Sequence, residues 1–402
     1  MTTLKLWLCA GSASAGLLFA SAALADDQPP AGSAPAAAPA APQPTPMPYP
    51  AVSGPLVANG SPATFDAGPI GKIMIDGVVS GFVIGQSNSG FDAFGNRNRD
   101  FYGDITNAQI ILNKTDGPVQ FYLQVGAYDL PSLGTPYYKA KTMTDNTYGY
   151  APQGFIKLVP NSAVNIMVGA LPTLIGDEYT FSFENMNIER GLLWNQEPAV
   201  SKGVQVNFTS GPWAISGAVT DGYYSDDYTA LSGLITYTFK NTDTLAFAAE
   251  GNAGTAHVAT FATPIQQNNG QIYNLIYTHN MGPLTISPYL QYNNSPNIPG
   301  VSSSGDTFGV AVLAKYQFNP MWSLAGRFEY ISSSGPANLL GYGVGSDAWS
   351  ITVTPTFQKG IFFARAEFSY TGIGSGTPGL MFGSAGVNDT QVRALGEAGL
   401  MF

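Results

Sequence analysis

From about residue 65 onward, the connections between the apolar stretches alternate in length without a slip. The short ones read NKTDGP, VPNS, TSGP, KNTD, NMGP, FNPM and QKG, built from the residues of tight hairpin turns. Between them lie long segments at roughly 87–103, 129–152, 172–201, 221–229, 252–270, 294–305, 332–345 and 372–389, polar and rich in Gly, Asn and Ser. A soluble sandwich has no reason to sort its loops by length onto two ends. A transmembrane β-barrel does, because its turns stay short on the periplasmic side and its loops grow outside.

The segments being connected support the same reading. About sixteen strand-like stretches are predicted, at 71–86, 104–114, 118–128, 153–159, 163–171, 202–210, 212–220, 230–240, 243–251, 271–280, 283–293, 306–318, 321–331, 346–358, 361–371 and 390–402. They alternate with period 2. In MWSLAGRFEYI, Trp322, Leu324, Phe328 and Tyr330 share one face and Ser323, Arg327 and Glu329 the other. In IFFARAEFSY, Phe362, Ala364, Phe368 and Tyr370 oppose Arg365, Glu367 and Ser369. A basic residue facing lipid costs about 2–4 kcal/mol at the bilayer midplane, so the charged faces are predicted to point into a wet lumen. Trp213, Trp322, Tyr330, Trp349 and Tyr370 fall near strand ends, where interfacial aromatic girdles form. The expected fold is therefore all-β, a transmembrane antiparallel up-and-down barrel of about sixteen strands. A count of fourteen or eighteen would arise from the weakly patterned 129–152 and 252–270 regions.

Composition narrows the function. Only 10% of the 402 residues are charged, against about 25% in a soluble domain, while Gly, Tyr and Phe are abundant. The net charge of −10 argues against nucleic acid as a partner. MTTLKLWLCAGSASAGLLFASAALA has the form of a cleaved secretory signal, with Lys5 in its n-region and Ala23-Leu24-Ala25 as the cleavage site. Residues 26–64 read as a Pro/Ala-rich periplasmic linker, and 65–402 as the barrel. Without Lys5 the exported chain has 15 basic and 26 acidic residues, a net charge of −11. The single cysteine, Cys9, lies in the signal and lacks lipobox neighbours, so neither a disulfide framework nor a cysteine metal site is expected.

Enzymatic chemistry finds little support. The two histidines, His257 and His279, sit in a long loop and beside the NMGP turn at the opposite rim, with no nucleophile motif around either. Asp221, Asp226 and Asp227 in DGYYSDDY lack regular ligand spacing and read as a solvated acidic loop. No cofactor, metal or catalytic residue is expected.

The segment VGALPTLIGDEYTFSFENMNIERGLLWNQEPAVSKGVQVNF resembles the OmpL-like β-barrel porin-2 family of bacterial outer-membrane porins. Pro172-Thr173-Leu174-Ile175-Gly176, Glu178, Asn185 and Asn187 carry the likeness, with IDGVVSGFVIG and the strand QVRALGEAGLMF. Phe402 also resembles the signal by which the barrel-assembly machinery recognises such strands. The resemblance implies an outer-membrane location and a porin for small hydrophilic solutes, with outer-membrane lipid as its surroundings. By analogy with sixteen-stranded porins, a homotrimer is expected, and the third long loop is expected to fold inward. That loop holds Asp177, Glu178, Glu184, Glu189 and Glu197 against the single base Arg190, and SFENMNIERGLLW predicts a short helical turn. Lys157, Arg327, Arg365 and Arg393 are the predicted basic wall, with Lys315; Glu329 and Glu367 are acidic wall groups, with Asp76, Glu250 and Glu397. Opposed rows would make a transverse field at a constriction, with a modest cation preference. A general diffusion porin is the first reading. A substrate-specific channel for sugars, peptides or organic acids is the second, and a plugged barrel serving as adhesin, assembly factor or enzyme is the third.

Overall fold

Alternating outward apolar residues and short turns produce an almost unbroken series of hairpins in the computed structural model. It describes residues 56–402 apart from Asn241 and Ala262. The predicted signal and residues 26–55 of the linker lie outside the described residues.

The strands are β1 (Ala63–Asp66), β2 (Lys72–Gln86), β3 (Phe101–Lys114), β4 (Val119–Tyr128), β5 (Gln153–Leu158), β6 (Val164–Pro172), β7 (Val200–Ser210), β8 (Trp213–Thr220) and β9 (Ala230–Thr238). They continue as β10 (Thr244–Asn252), β11 (Gln271–Met281), β12 (Leu284–Ser295), β13 (Gly305–Asn319), β14 (Trp322–Ser334), β15 (Asp347–Lys359), β16 (Phe362–Gly374) and β17 (Thr390–Met401). Strands β2–β17 pair antiparallel with their sequence neighbours, and β17 returns to β2, so sixteen strands close into a barrel. Each strand expected from the sequence is present. Short helices α1 (Ala140–Asn146) and α2 (Ile265–Asn268) lie in the two regions where patterning was weakest.

Closure depends on a close approach. Gly77 N–H donates to the Phe402 carbonyl at 2.7 Å and Phe402 N–H donates back to Gly77 at 2.9 Å. The Phe402 ring lies where a side chain at Gly77 would stand: a Cβ there would come within 2.5 Å of Cζ. The period-2 reading thus acquires a partner strand, and the aromatic a glycine seat. Beyond this pair, β1 takes over the edge of β2, with Ala63 opposite Ile75 and Asp66 opposite Lys72. The sequence had placed residues 63 and 64 in the linker. Leu56 is buried in a cluster with Val78 and Phe363, and Val57 exchanges two hydrogen bonds with the Gln358 side chain.

The outer face is apolar, with Val204, Val206, Phe247, Leu275, Phe328 and Ile351 exposed. Aromatic pairs stand near the rims, including Trp213–Tyr237 and Trp322–Phe357 at the turn rim and Trp349–Tyr370 at the loop rim. The inner face is of two kinds. Strands β14–β17 present Arg327, Glu329, Thr352, Thr354, Arg365, Glu367, Arg393 and Glu397. Strands β8–β13 present a mixed inner face, with an apolar patch of Ala218, Leu234, Ala246, Ala248, Ile272, Ile276 and Leu313 beside polar residues such as Ser216, Glu250, Asn274, Gln291 and Asn293. Of the charged groups expected inside, Arg327, Glu329, Arg365, Glu367, Arg393 and Glu397 gather on β14–β17 and Glu250 stands apart on β10, while the apolar patch was not foreseen.

Gly77→Val is expected to displace the Phe402 ring and weaken closure. Folded protein should then lose its compact electrophoretic form at a lower temperature than wild type; an unchanged transition would show that this seat does not matter.

Candidate functional site

Loop 3, residues 173–199, joins β6 to β7 and fills the space between the two kinds of wall. A backbone segment in such an interior must find partners for its N–H and C=O groups. Two wall carboxylates each straddle two consecutive loop amides. Ile188 and Glu189 donate to Glu367 at 2.5 and 3.0 Å. Leu192 and Leu193 donate to Glu329 at 3.0 and 3.2 Å. Thr354 and Ser350 hold these carboxylates from the wall, donating at 2.7 and 2.8 Å. Gly191 N–H donates to Glu178, and a Cβ at Gly191 would fall 2.1 Å from Glu329 Oε1, so the close approach needs glycine.

Arginines take the loop carbonyls. Arg365 donates to Asn185 and Ser182, both at 3.0 Å, while paired with Glu397 at 2.5 Å. Arg327 donates to the Glu189 carbonyl at 2.9 Å and pairs with Glu178 at 2.5 Å and Glu329 at 3.2 Å. Arg393 pairs with Glu189 at 2.7 Å and donates to loop 2 (129–152) at Ser132 and Thr135. Charge-assisted bonds of this kind are roughly twice as strong as neutral ones.

The loop's other side is apolar. Leu174, Ile175, Met186, Leu192 and Leu193 join the cluster formed by the inward residues of β8–β13. Phe181 and Phe183 pack with Tyr128, Val78 and Phe363. The predicted helical turn resolves into two 3-10 turns, Ser182–Glu184 and Trp194–Gln196. The second is a hub for the outer loops. Asn195 donates to Leu133, Tyr223 donates to the Gln196 carbonyl, Gln267 donates to the Asn195 carbonyl, and Gln196 donates to Leu339.

The structure therefore brings together Glu178, Glu189, Arg327, Glu329, Arg365 and Glu367 from the sequence-predicted site. Asp177 and Arg190 are buried in the same loop. Glu184 instead accepts from Phe181 N–H at 3.1 Å, serving its own turn. Lys157 stands next to the turn end of β5 and, among the described residues, joins none of the ion pairs. Arg190 makes no hydrogen bond through its guanidinium to the described residues, which lies over the Trp194 ring at 5.5 Å. Sequence reasoning missed the supporting hydroxyls of Ser350 and Thr354 and the apolar anchors Leu192, Leu193, Phe181 and Phe183. The one visible signal was an apolar Leu-Leu-Trp run inside a polar loop.

Burial sets the electrostatics of the loop. It pushes the Asp177 and Glu184 carboxyls up to about 7, and raises Glu178 against the opposing pull of Arg327. It lowers Arg190 to about 10. These are direct costs of ionisation in a dry interior. Acids raised in the docked state favour docking most at low pH, and that contribution is lost as pH rises through about 7. Hydrogen-exchange protection of residues 173–199, corrected for intrinsic rates, should therefore fall between about pH 5 and pH 8. Protection that rises over this range would contradict the account.

Residues 72–402 match the family described as beta-barrel porin-2, OmpL-like. Among curated proteins no sequence matches the chain. Similar solved structures include an anion-selective porin from Comamonas acidovorans, 10% identical with a TM-score of 0.55, covering 82% of this chain and 99% of that one. The trimer form of OmpT from Vibrio cholerae is 11% identical, TM-score 0.54, with the same coverage. The outer membrane channel DcaP of Acinetobacter baumannii is 12% identical, TM-score 0.52, covering 82% and 97%. At these identities the likeness is one of fold.

Proposed function

The chain belongs to the beta-barrel porin-2, OmpL-like family of outer-membrane porins, and we propose that within it the protein is a restrictive diffusion channel for small hydrophilic solutes and ions. The observation that carries this reading is the docked loop. Loop 3 is gripped by Glu329, Glu367, Arg327 and Arg365 on one side and packed on apolar wall on the other, so the solute path is narrowed at its level. The first reading from sequence, general diffusion, is thereby drawn towards its alternative, a channel that selects its solutes. No enzyme function enters the account.

Removing the two carboxylates that hold the loop backbone tests it. Losing one partner of a buried charged contact costs about 3–5 kcal/mol. Glu329→Ala/Glu367→Ala should release loop 3 and raise single-channel conductance in planar bilayers. A folded variant with wild-type conductance would remove the loop as the restriction, and a folded wild type without conductance would remove the channel reading.

Selectivity follows from the same groups. Around the loop, seven buried carboxylates (Asp177, Glu178, Glu189, Glu197, Glu329, Glu367 and Glu397) face four buried arginines (Arg190, Arg327, Arg365 and Arg393). Arg327, Arg365 and Arg393 are ion-paired with Glu178, Glu329, Glu397 and Glu189, which leaves Asp177, Glu197 and Glu367 against Arg190 and a modest cation preference, screened at high salt. Reversal potential in a salt gradient measures it. Glu189→Gln is expected to shift the potential more than Glu184→Gln, whose carboxylate serves a local turn. Anion selectivity in the wild type would refute the preference.

A trimer is also proposed. Along the β5–β10 flank β5 and β8 have only 6 and 8 residues, β6, β9 and β10 have 9 and β7 has 11, whereas β12–β17 have 12 to 15. A lipid-facing strand needs about 9–11 residues. The short flank, with Ile156 and Val168 exposed, is better covered by another protomer than by lipid. Recognition of the β17–Phe402 segment by the barrel-assembly machinery belongs to the same proposal.

A further inference from the structure

Away from the ion-paired interior, a cavity of about 440 Å³ opens at the loop rim between loop 1 (87–100), loop 2, loop 7 (335–346) and loop 8 (375–389). Its volume lies in the range of small-molecule sites. In contrast with the interior below it, none of its lining residues is charged.

Three of its amides are oriented by the backbone. Gln86 donates its amide N–H to the Arg99 carbonyl at 2.9 Å, Asn88 to Thr390 at 2.7 Å and Gln391 to Ser87 at 3.3 Å. Their side-chain oxygens are left to accept from a ligand that brings its own donors. Gln86 and Gln391 are only 7% and 6% exposed, so these orientations are held by packing. Phe91 stands half exposed at the cavity's edge and offers an apolar face. Tyr342 and Phe382 form an edge-on pair at 5.7 Å beside it.

The floor is fixed in advance. Tyr342 donates to the Gly134 carbonyl at 2.9 Å, and Arg393 holds loop 2 through Ser132 and Thr135. A site whose walls are already ordered loses less entropy on binding.

We propose that this cavity binds an uncharged, polyhydroxylated solute of monosaccharide to disaccharide size at the extracellular mouth of the channel. Ligand hydroxyls donate to the fixed amide oxygens, and the C–H face of a sugar ring lies against Phe91. A charged ligand would meet no countercharge in this lining and would lose hydration for nothing in return. The inference deepens the channel reading, on which its meaning for transport rests.

The test is calorimetric titration of the full-length, detergent-solubilised protein with maltose, beside gluconate and glucosamine as charged controls. Maltose is expected to bind saturably and both charged sugars to bind more weakly. Phe91→Ala, an exposed position whose folding is checked by heat-dependent mobility, should weaken maltose binding by about fivefold through loss of the ring contact. No maltose binding to folded wild type, equal binding of gluconate or glucosamine, or unchanged affinity in Phe91→Ala would each overturn the proposal. Conductance measured on the same preparation separates the two readings. A conducting protein that does not bind maltose loses only the site, whereas a silent protein that binds it keeps the site and loses the channel.

Discussion

A stretch of irregular backbone inside a barrel must have its polar groups satisfied, and the grip of wall charges on loop 3 is how this molecule meets that demand. Glu329 and Glu367 each take two consecutive amides, and Arg327 and Arg365 take carbonyls. The arginines are in turn neutralised by Glu178 and Glu397. Without the loop, Glu367 would lose both its amide partners and Arg327 its Glu178 partner, leaving only the wall pairs Arg327–Glu329 and Arg365–Glu397. The apolar patch of the lumen between Ala218 and Leu313 would in turn face water. The two faces of the loop therefore answer two faces of the barrel.

This arrangement changes the meaning of the charges. Free opposing rows of acid and base would act on a passing solute at a distance. Here most of the rows are spent on one another and on the loop backbone, within 2.5–3.2 Å. What remains for a solute is the imbalance, the burial of Asp177 and Arg190, and the shape of the space left beside the loop. The same charges that would select by field instead select by holding an obstruction in place.

Much of the fold was legible in sequence because a membrane barrel writes its constraints locally. Period-2 alternation fixes each strand, and turn residues such as Asn280-Met281-Gly282-Pro283 fix each hairpin. The docked loop was legible in its charges, since Glu178, Glu189, Arg327 and Glu367 stand out against a chain so poor in charge. Its pairing was not. That Glu367 would hold Ile188 and Glu189, rather than face a solute, depends on residues about 180 positions apart. The apolar patch on the inner face of β8–β13 was hidden for a related reason. Alternation distinguishes one face from the other, but in QIYNLIYTHNM both faces carry apolar residues, Tyr273, Leu275 and Tyr277 outward and Ile272 and Ile276 inward beside Asn274 and Thr278, and only the barrel decides which side is inside. Short β1 escaped notice because four residues after a Pro-rich stretch carry no pattern of their own.

Within the lumen, loop 3 rests against β15 and β16. Asn187 donates to Thr354 there at 2.6 Å. The mature sequence predicted here has no cysteine, so Asn187→Cys/Thr354→Cys can be introduced without competing thiols. A short bifunctional thiol reagent applied to the protein in outer membranes should link the pair efficiently, with single-channel conductance left close to that before linking. Little or no linking in folded protein, or a large fall in conductance once the link forms, would show that the loop rests elsewhere in the conducting state.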